Sequence, residues 1–591
     1  MKVEEDTSVE HADEARVDLE ARTRVCDIEG VAALVGTSRQ GALRMLAKEM
    51  EGEAGISERK VLRTGDARKL KRDLLTIFSG RASSALARNR LLLLVPSVDR
   101  GVIRDRLELC VRASETFQAV KRQGKLDGLR KASAQLSFAP RKETGSPVFD
   151  FFAARKGTLD AVEHILTVCA SVEPVMSLFR DVGAGSLHEV LAALEETGGL
   201  KVEDAEAAIS DAEVEINEAL RKGVSSRERA LAVIEEEVGE VVSSLGLNWD
   251  EEQALKKAAF ESPSVPFEFD RSGTKRLIEE WRRRREEEIA KKVQKVEAKL
   301  RQNIPLANRA IEGAVLLDQM LAIGSAMEEY SLSIPEIGSG GIGFVNARNP
   351  FLLEEGPEGP ARLLQPVSYS VGKSSIRLAK PRNAVILTGA NSGGKTTLLN
   401  TLAAIHVLTL LGLPVPAERA EVTPMPIYLF RKRVARKTGS LEHVLRSIIP
   451  VLADRRRKLV LIDELEALTE PGAAGRIIAV IINRAATTSS LFLLVTHLAK
   501  ETLPHVRLPV RVDGIEASGL KLNGELAVDR QPRFDHIGSS TPKLIVLKLS
   551  KKAKDRTVKA IYDDVLASLE EETGPPVQAP IALPWAGEEA D

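Results

Sequence analysis

Ala384-Val-Ile-Leu-Thr-Gly-Ala-Asn-Ser-Gly-Gly-Lys-Thr-Thr397 is the stretch whose reading decides the fold. Its first four residues, Ala384 to Leu387, are apolar and predict a buried strand, and Leu398 to Leu411 predicts a helix. Between them Gly389, Gly394, Lys395 and Thr396 fit G-x-x-x-x-G-K-[ST]. A glycine-rich turn in that setting points backbone N–H groups at phosphates, and the helix N-terminus adds a favourable dipole. Lys395 is placed to reach the β- and γ-phosphates, and the Thr396 hydroxyl to ligate Mg²⁺. Asn391, Ser392, Gly393 and Thr397 complete the expected phosphate cradle.

A second apolar run, Leu459 to Ile462, ends in Asp463 and Glu464, some 68 residues beyond Lys395. A buried parallel strand would bring Asp463 to its C-terminal edge beside the phosphate loop, where it can hold Mg²⁺ through water. Glu464 is then placed to orient or deprotonate the attacking water. A third run, Leu491 to Val495, ends in Thr496-His497, and His497 is read as a γ-phosphate or water sensor. Thr438-Gly439-Ser440-Leu441 opens a helix. Ser440 is either a plain N-cap or a group presenting N–H donors to another subunit's γ-phosphate, and the pattern favours neither.

The remaining composition sets limits. A chain of 591 residues exceeds one hydrophobic core, so three or four domains are expected. With 84 Lys+Arg against 85 Asp+Glu, any nucleic-acid contact must use local basic patches. Aromatics at 4% argue against base stacking as the main binding mode. Cys26, Cys110 and Cys169 are far apart, which fits a reducing cytoplasm, and the eight histidines do not cluster as a zinc site would require. No apolar run looks long enough to cross a bilayer, and the first twenty residues are acidic rather than a signal peptide. A soluble, cytoplasmic protein is expected.

Along the chain, residues 1–64 read as an acidic tail and a small helical module, either a two-helix packing unit or a helix-hairpin-helix. Residues 65–204 read as a helical core, with Leu70, Leu74, Leu75 and Phe78 in one stripe. From 205 to 304, narrow stripes on highly charged helices suit a long antiparallel coiled-coil arm. Residues 305–340 form a more apolar returning helix, 341–550 an α/β domain, and 551–591 a terminal helix and tail. Basic clusters at 68–72, 431–437 and 551–556 are either phosphate contacts or ordinary solvated surface.

Taken together these residues resemble the MutS family, a branch of the ABC-type nucleotide-binding fold. Thr388 to Val422 is similar to the family's phosphate loop, following helix and "VPA" strand. "LVLIDELEALTEP" resembles its Mg²⁺ and base strand, and "LLVTHLAKET" its switch. Leu316 to Ile337 looks like its returning lever helix, and Ala67 to Glu115 resembles the start of the core in the second, recombination-linked branch. The small N-terminal module is similar to archaeal MutS-related proteins that lack the mismatch-reading and nuclease domains. The resemblance implies a multidomain chain: a helical core/lever with a coiled-coil arm and an α/β P-loop (ABC-type) ATPase domain. It implies ATP and Mg²⁺ as ligands, a homodimer with composite sites, and clamping on duplex or branched DNA in recombination or repair, without a membrane and without intrinsic nuclease activity. A ribosome-associated ATPase acting on stalled translation is the alternative that the same motor allows.

Overall fold

The computed structural model describes residues 18–139, 146–196, 271–353, 364–389, 394–432, 440–464, 470–520, 526–538, 542–553 and 555–571, with isolated residues between 218 and 257. Most of the first half of the expected arm, Val202 to Leu247, and the elbow at Ser262–Asp270 therefore lie outside the described residues. Packing divides the chain into two units. One holds Met1–Arg39, Ser84–Leu86 and Lys125–Leu317, the other Gln40–Ser83, Ala87–Gly124 and Asp318–Asp591. The division falls inside the helical segment that the sequence presents as continuous.

The first unit is helical where described. Its helices start where their sequence says they should: Asp27 caps Ile28–Val35 by accepting from Gly30 N at 3.1 Å, and Ser146 caps Pro147–Ala153 by accepting from Phe149 N at 3.2 Å. Leu159, Val162 and Ile165 of the helix Lys156–Val168 are fully buried. Beside them Arg155, also fully buried, pairs with Asp18 and lies over the Phe151 ring at 3.7 Å. Burial pushes the Asp18 carboxyl up, but Arg155 and Arg22 outweigh it and hold it below the usual value.

The helix Arg271–Tyr330 is 60 residues long, about 90 Å at 1.5 Å per residue, and runs unbroken through Pro305. The expectation that no apolar run could cross a bilayer is corrected on this helix. Within Lys291–Tyr330 a window reaches a mean hydropathy of 1.3, which meets the length and composition of a span. That window is 78% buried inside the fold, as a core helix is. Its last turns belong to the second unit, where a Cβ on Gly324 would sit 2.4 Å from Phe117 Cβ.

The second unit is built on two sheets and a small hairpin. Strands β1 (Glu336–Ile337), β2 (Gly341–Ala347), β3 (Val367–Gly372) and β5 (Arg419–Val422) form a mixed sheet in the order β1-β5-β2-β3. Strands β4 (Ala384–Gly389), β6 (Ile427–Phe430), β7 (Leu459–Asp463), β8 (Leu491–Val495) and β9 (Arg511–Ile515) form a wholly parallel sheet in the order β6-β7-β8-β4-β9. β10 (Ala517–Leu520) pairs with β11 (Leu526–Val528). Every residue of β4, β7 and β8 is buried, which is why each reads as an unbroken apolar run. The helices used below are α1 (Gly65–Ser79), α2 (Lys395–Leu411), α3 (Ser440–Ala453), α4 (Pro471–Ala486), α5 (Pro542–Lys552) and α6 (Arg556–Glu571).

The β6 edge is covered by the chain just before α1. Arg63 N donates to Ile427 O at 3.0 Å, and Leu429 N donates to Thr64 Oγ1 at 3.1 Å. Asp66 Oδ2 accepts from Arg431 N at 3.1 Å. An edge that would otherwise present bare backbone groups is thus closed. At the other side of the sheet, β9 carries a buried cluster in which Arg511 pairs with Asp513 at 2.9 Å and Tyr369 Oη donates to Asp513 at 2.6 Å. Burial raises the Asp513 carboxyl, and Arg511 opposes it.

Two outcomes are expected. Replacing Arg511 by Met leaves Asp513 buried without its cation, and urea unfolding should show a loss of about 3–5 kcal/mol. His406 of α2 is fully buried and its pKa is pushed down from 6.5 to about 4 by burial. The unfolded chain therefore takes up this proton first, so stability should fall as pH drops below 6.5 and the loss should level off below about 4. The full effect is roughly 3 kcal/mol, and His406→Gln should flatten the pH dependence of thermal unfolding over that window.

Candidate functional site

Parallel strands end at one edge, so β4, β8 and β7 deliver their C-terminal residues side by side. The register puts Leu387 opposite Val495 and Val495 opposite Asp463. β8 thus stands between the glycine-rich turn and the acidic pair. Thr496 N continues the ladder to Leu387 O at 3.1 Å, and Glu464 N does so to Val495 O at 3.1 Å.

The turn after β4 demands glycine at its start. Gly389 has φ 120°, and a Cβ there would lie 2.0 Å from Ile515 O. Gly394, at φ 95°, forms the N-cap of α2. Residues 390–393, including the expected Asn391, Ser392 and Gly393, lie outside the described residues. Lys395 is 2% exposed, and its Nζ donates to Gly389 O at 2.6 Å and lies 3.5 Å from His497 Nδ1. The side chain therefore folds back onto the last residue of β4, beside His497.

Thr396 Oγ1 donates to Asp463 Oδ1 at 3.2 Å, so the two expected Mg²⁺ ligands meet. Burial lifts the Asp463 carboxyl above its usual value, the Thr396 bond works against this and the Glu464 charge adds to it. A hydroxyl and a carboxylate are the hard oxygen donors that suit Mg²⁺, which takes its other ligands from water and phosphate. Among the described residues no cluster of three or more His, Cys, Asp and Glu side chains offers an all-protein metal cage. The donor set fits Mg²⁺.

Glu464 leaves β7 with φ 44°, a left-handed conformation that a non-glycine residue adopts at a cost of about 1–2 kcal/mol. Its carboxylate is held from two sides. Oε1 bonds His497 Nε2 at 2.6 Å, and Oε2 accepts from Lys432 Nζ. Burial pushes this carboxyl up, but Lys432 and His497 together bring it below the usual value. Lys395, His497, Glu464 and Lys432 form one chain of contacts across the strand ends.

Thr397 lies in the first turn of α2, where its carbonyl accepts from Thr401 Oγ1 at 2.8 Å. Ser440 is the first residue of α3, and its side chain lies outside the described residues. Two contributors escape sequence reasoning. Lys432, read there as one of a basic run, pairs with Glu464; the signal is that β6 neighbours β7, with Phe430 opposite Ile462, so the residue two positions on falls beside Glu464. Thr388 donates to Asp513 O at 3.1 Å and accepts from Gly538 N at 2.8 Å, tying the turn to β9 and to the segment after it.

No protein-family model matches the chain. It is 44% identical over 224 residues to a protein of Pyrococcus furiosus named DNA-binding protein MutS2, a match spanning 37% of this chain and 38% of that protein. It is 27% identical over 190 residues to Endonuclease MutS2 of Solidesulfovibrio magneticus, covering 30% of this chain and 23% of the relative. With Endonuclease MutS2 of Clostridium tetani it shares 26% over 206 residues, 33% of this chain and 24% of the relative. The chain thus spans well under half the length of the curated relatives it matches. Over about a third of its length the chain is thus similar to proteins named MutS2 from Pyrococcus furiosus and from two bacteria.

Proposed function

We propose that this protein binds and hydrolyses ATP with Mg²⁺ and couples that cycle to a grip on DNA. The observation that carries the reading is the meeting of Lys395, Thr396, Asp463, Glu464 and His497 at the ends of three adjacent parallel strands. In this reading 389–397 form a P-loop, with Lys395 exchanging the Gly389 carbonyl for the β- and γ-phosphates. Thr396 and Asp463 hold Mg²⁺, which when bound neutralises charge on those phosphate oxygens. Glu464 takes the proton of a water whose oxygen attacks the γ-phosphorus, as the bond to the bridging oxygen breaks and ADP leaves. His497, in contact with both Lys395 and Glu464, carries the state of the phosphate site to the base.

DNA enters the reading through the relative named a DNA-binding protein. The long charged helix from Arg271, joined to the segment before it, would form a coiled-coil arm, and two copies of the chain would close composite sites with Ser440 facing the partner's γ-phosphate. The endonuclease in the bacterial names belongs to proteins of which this chain covers about a quarter, and no nuclease step is proposed.

Lys395→Ala should weaken ATP binding, measured by fluorescent-nucleotide titration. Glu464→Gln should keep that binding and slow turnover by about 10²-fold or more. Hydrolysis at the parental rate by the Glu464 variant would remove it as the base. Deleting residues 205–300 should abolish binding to duplex and four-way-junction DNA while ATP hydrolysis survives, and undiminished DNA affinity would place the grip elsewhere.

A further inference from the structure

Strand order sets two opposite pulls on the Glu464 carboxylate. β7 lies between β6 and β8, and the glycine-rich turn follows β4 on the β8 side. His497, at the end of β8, draws Oε1 toward that turn, whereas Lys432, just past β6, draws Oε2 away from it. The ion pair is lopsided in its access to water: the Lys432 side chain is 52% exposed and that of Glu464 only 9%. The carboxylate is confined, and the ammonium is open to competition from solvent.

The β6 edge is also where cations gather. Arg63 is exposed on the segment docked there, and its Nε donates to Tyr428 Oη at 2.9 Å. Arg431, beside Lys432, is anchored through its backbone by Asp66. In a chain of net charge −1 such a grouping is local, and it suits a chain of phosphates better than a single ion.

We propose that Lys432 restrains Glu464 by pairing with it on the β6 side, and that a phosphate polyanion bound at this edge frees the carboxylate by taking Lys432. The inference rests on the reading of Glu464 as the base of ATP hydrolysis. Lys432 acts through Glu464 and is a positioning residue. Its removal speeds the reaction, which a phosphate-binding or merely structural lysine would not do.

The test uses the full chain and measures steady-state ATP hydrolysis and binding of a fluorescent ATP analogue, with and without a short DNA duplex or inorganic polyphosphate. Lys432→Met, which keeps the length of the side chain, should raise the basal rate about twofold to fivefold, the scale of a partly exposed ion pair. Its affinity for the analogue should stay at the parental value, and polyanion should no longer accelerate it. Lys432→Arg, which retains a cation, should bring the rate back toward the parent. In the parent protein, acceleration by the duplex alone assigns the polyanion to nucleic acid, and acceleration by both assigns it to phosphate chains in general. A Met variant at or below the parental rate, or one still accelerated by polyanion, overturns the proposal. Hydrolysis that survives Glu464→Gln would instead overturn the reading beneath it.

Discussion

The position of β4 between two parallel neighbours is the constraint from which the rest follows. Its six residues are buried and its backbone is paired on both sides, to β8 and to β9. Buried N–H and C=O groups need partners, so the strand cannot slide along either neighbour without orphaning several of them. Its end is therefore a fixed point. Gly389 is pressed against Ile515, and Thr388 is tied to Asp513 and Gly538. The helix that begins at Lys395 inherits that position, and Thr396 reaches Asp463 across the width of β8.

Buried charge is handled by the same rule in both units. Arg155 with Asp18, and Arg511 with Asp513, place full charges where water is excluded, and each is matched by an opposite charge and an aromatic face. Such pairs add little net stability over an apolar core, but losing one partner is costly. Their effect is on geometry. Asp513 also accepts from Tyr369 of β3, so the mixed sheet and the parallel sheet are fastened at one carboxylate. The same strand flanks β4, and the fastening lies opposite Leu387, two residues before Gly389.

Much of the parallel sheet and of the site could be read from the residues because strands buried on both faces are continuous apolar runs. Leu387, Val495 and Ile462 each end such a run, and the polar residues that follow them, Asp463, Glu464 and His497, meet in space. What escaped depends on strand order and on long-range docking, which periodicity does not encode. Lys432 finds Glu464 only because β6 lies beside β7. The covering of β6 by residues 62–66 joins segments 365 positions apart, and nothing local at Thr64 announces it. The apolar window in the Arg271–Tyr330 helix was hidden among charged neighbours. The centre of the turn and the Ser440 side chain fall outside the described residues.

That covering of β6 has a consequence for the order in which the chain is made. Thr64 leaves the ribosome 365 residues ahead of Leu429, the backbone it must meet. At the usual pace of synthesis the wait is roughly twenty to seventy seconds, far longer than local helices take to form. Residues 62–66 are therefore made long before the edge they cover, and they are already present when β6 emerges. The residues that close this edge are thus made well before the strand they close.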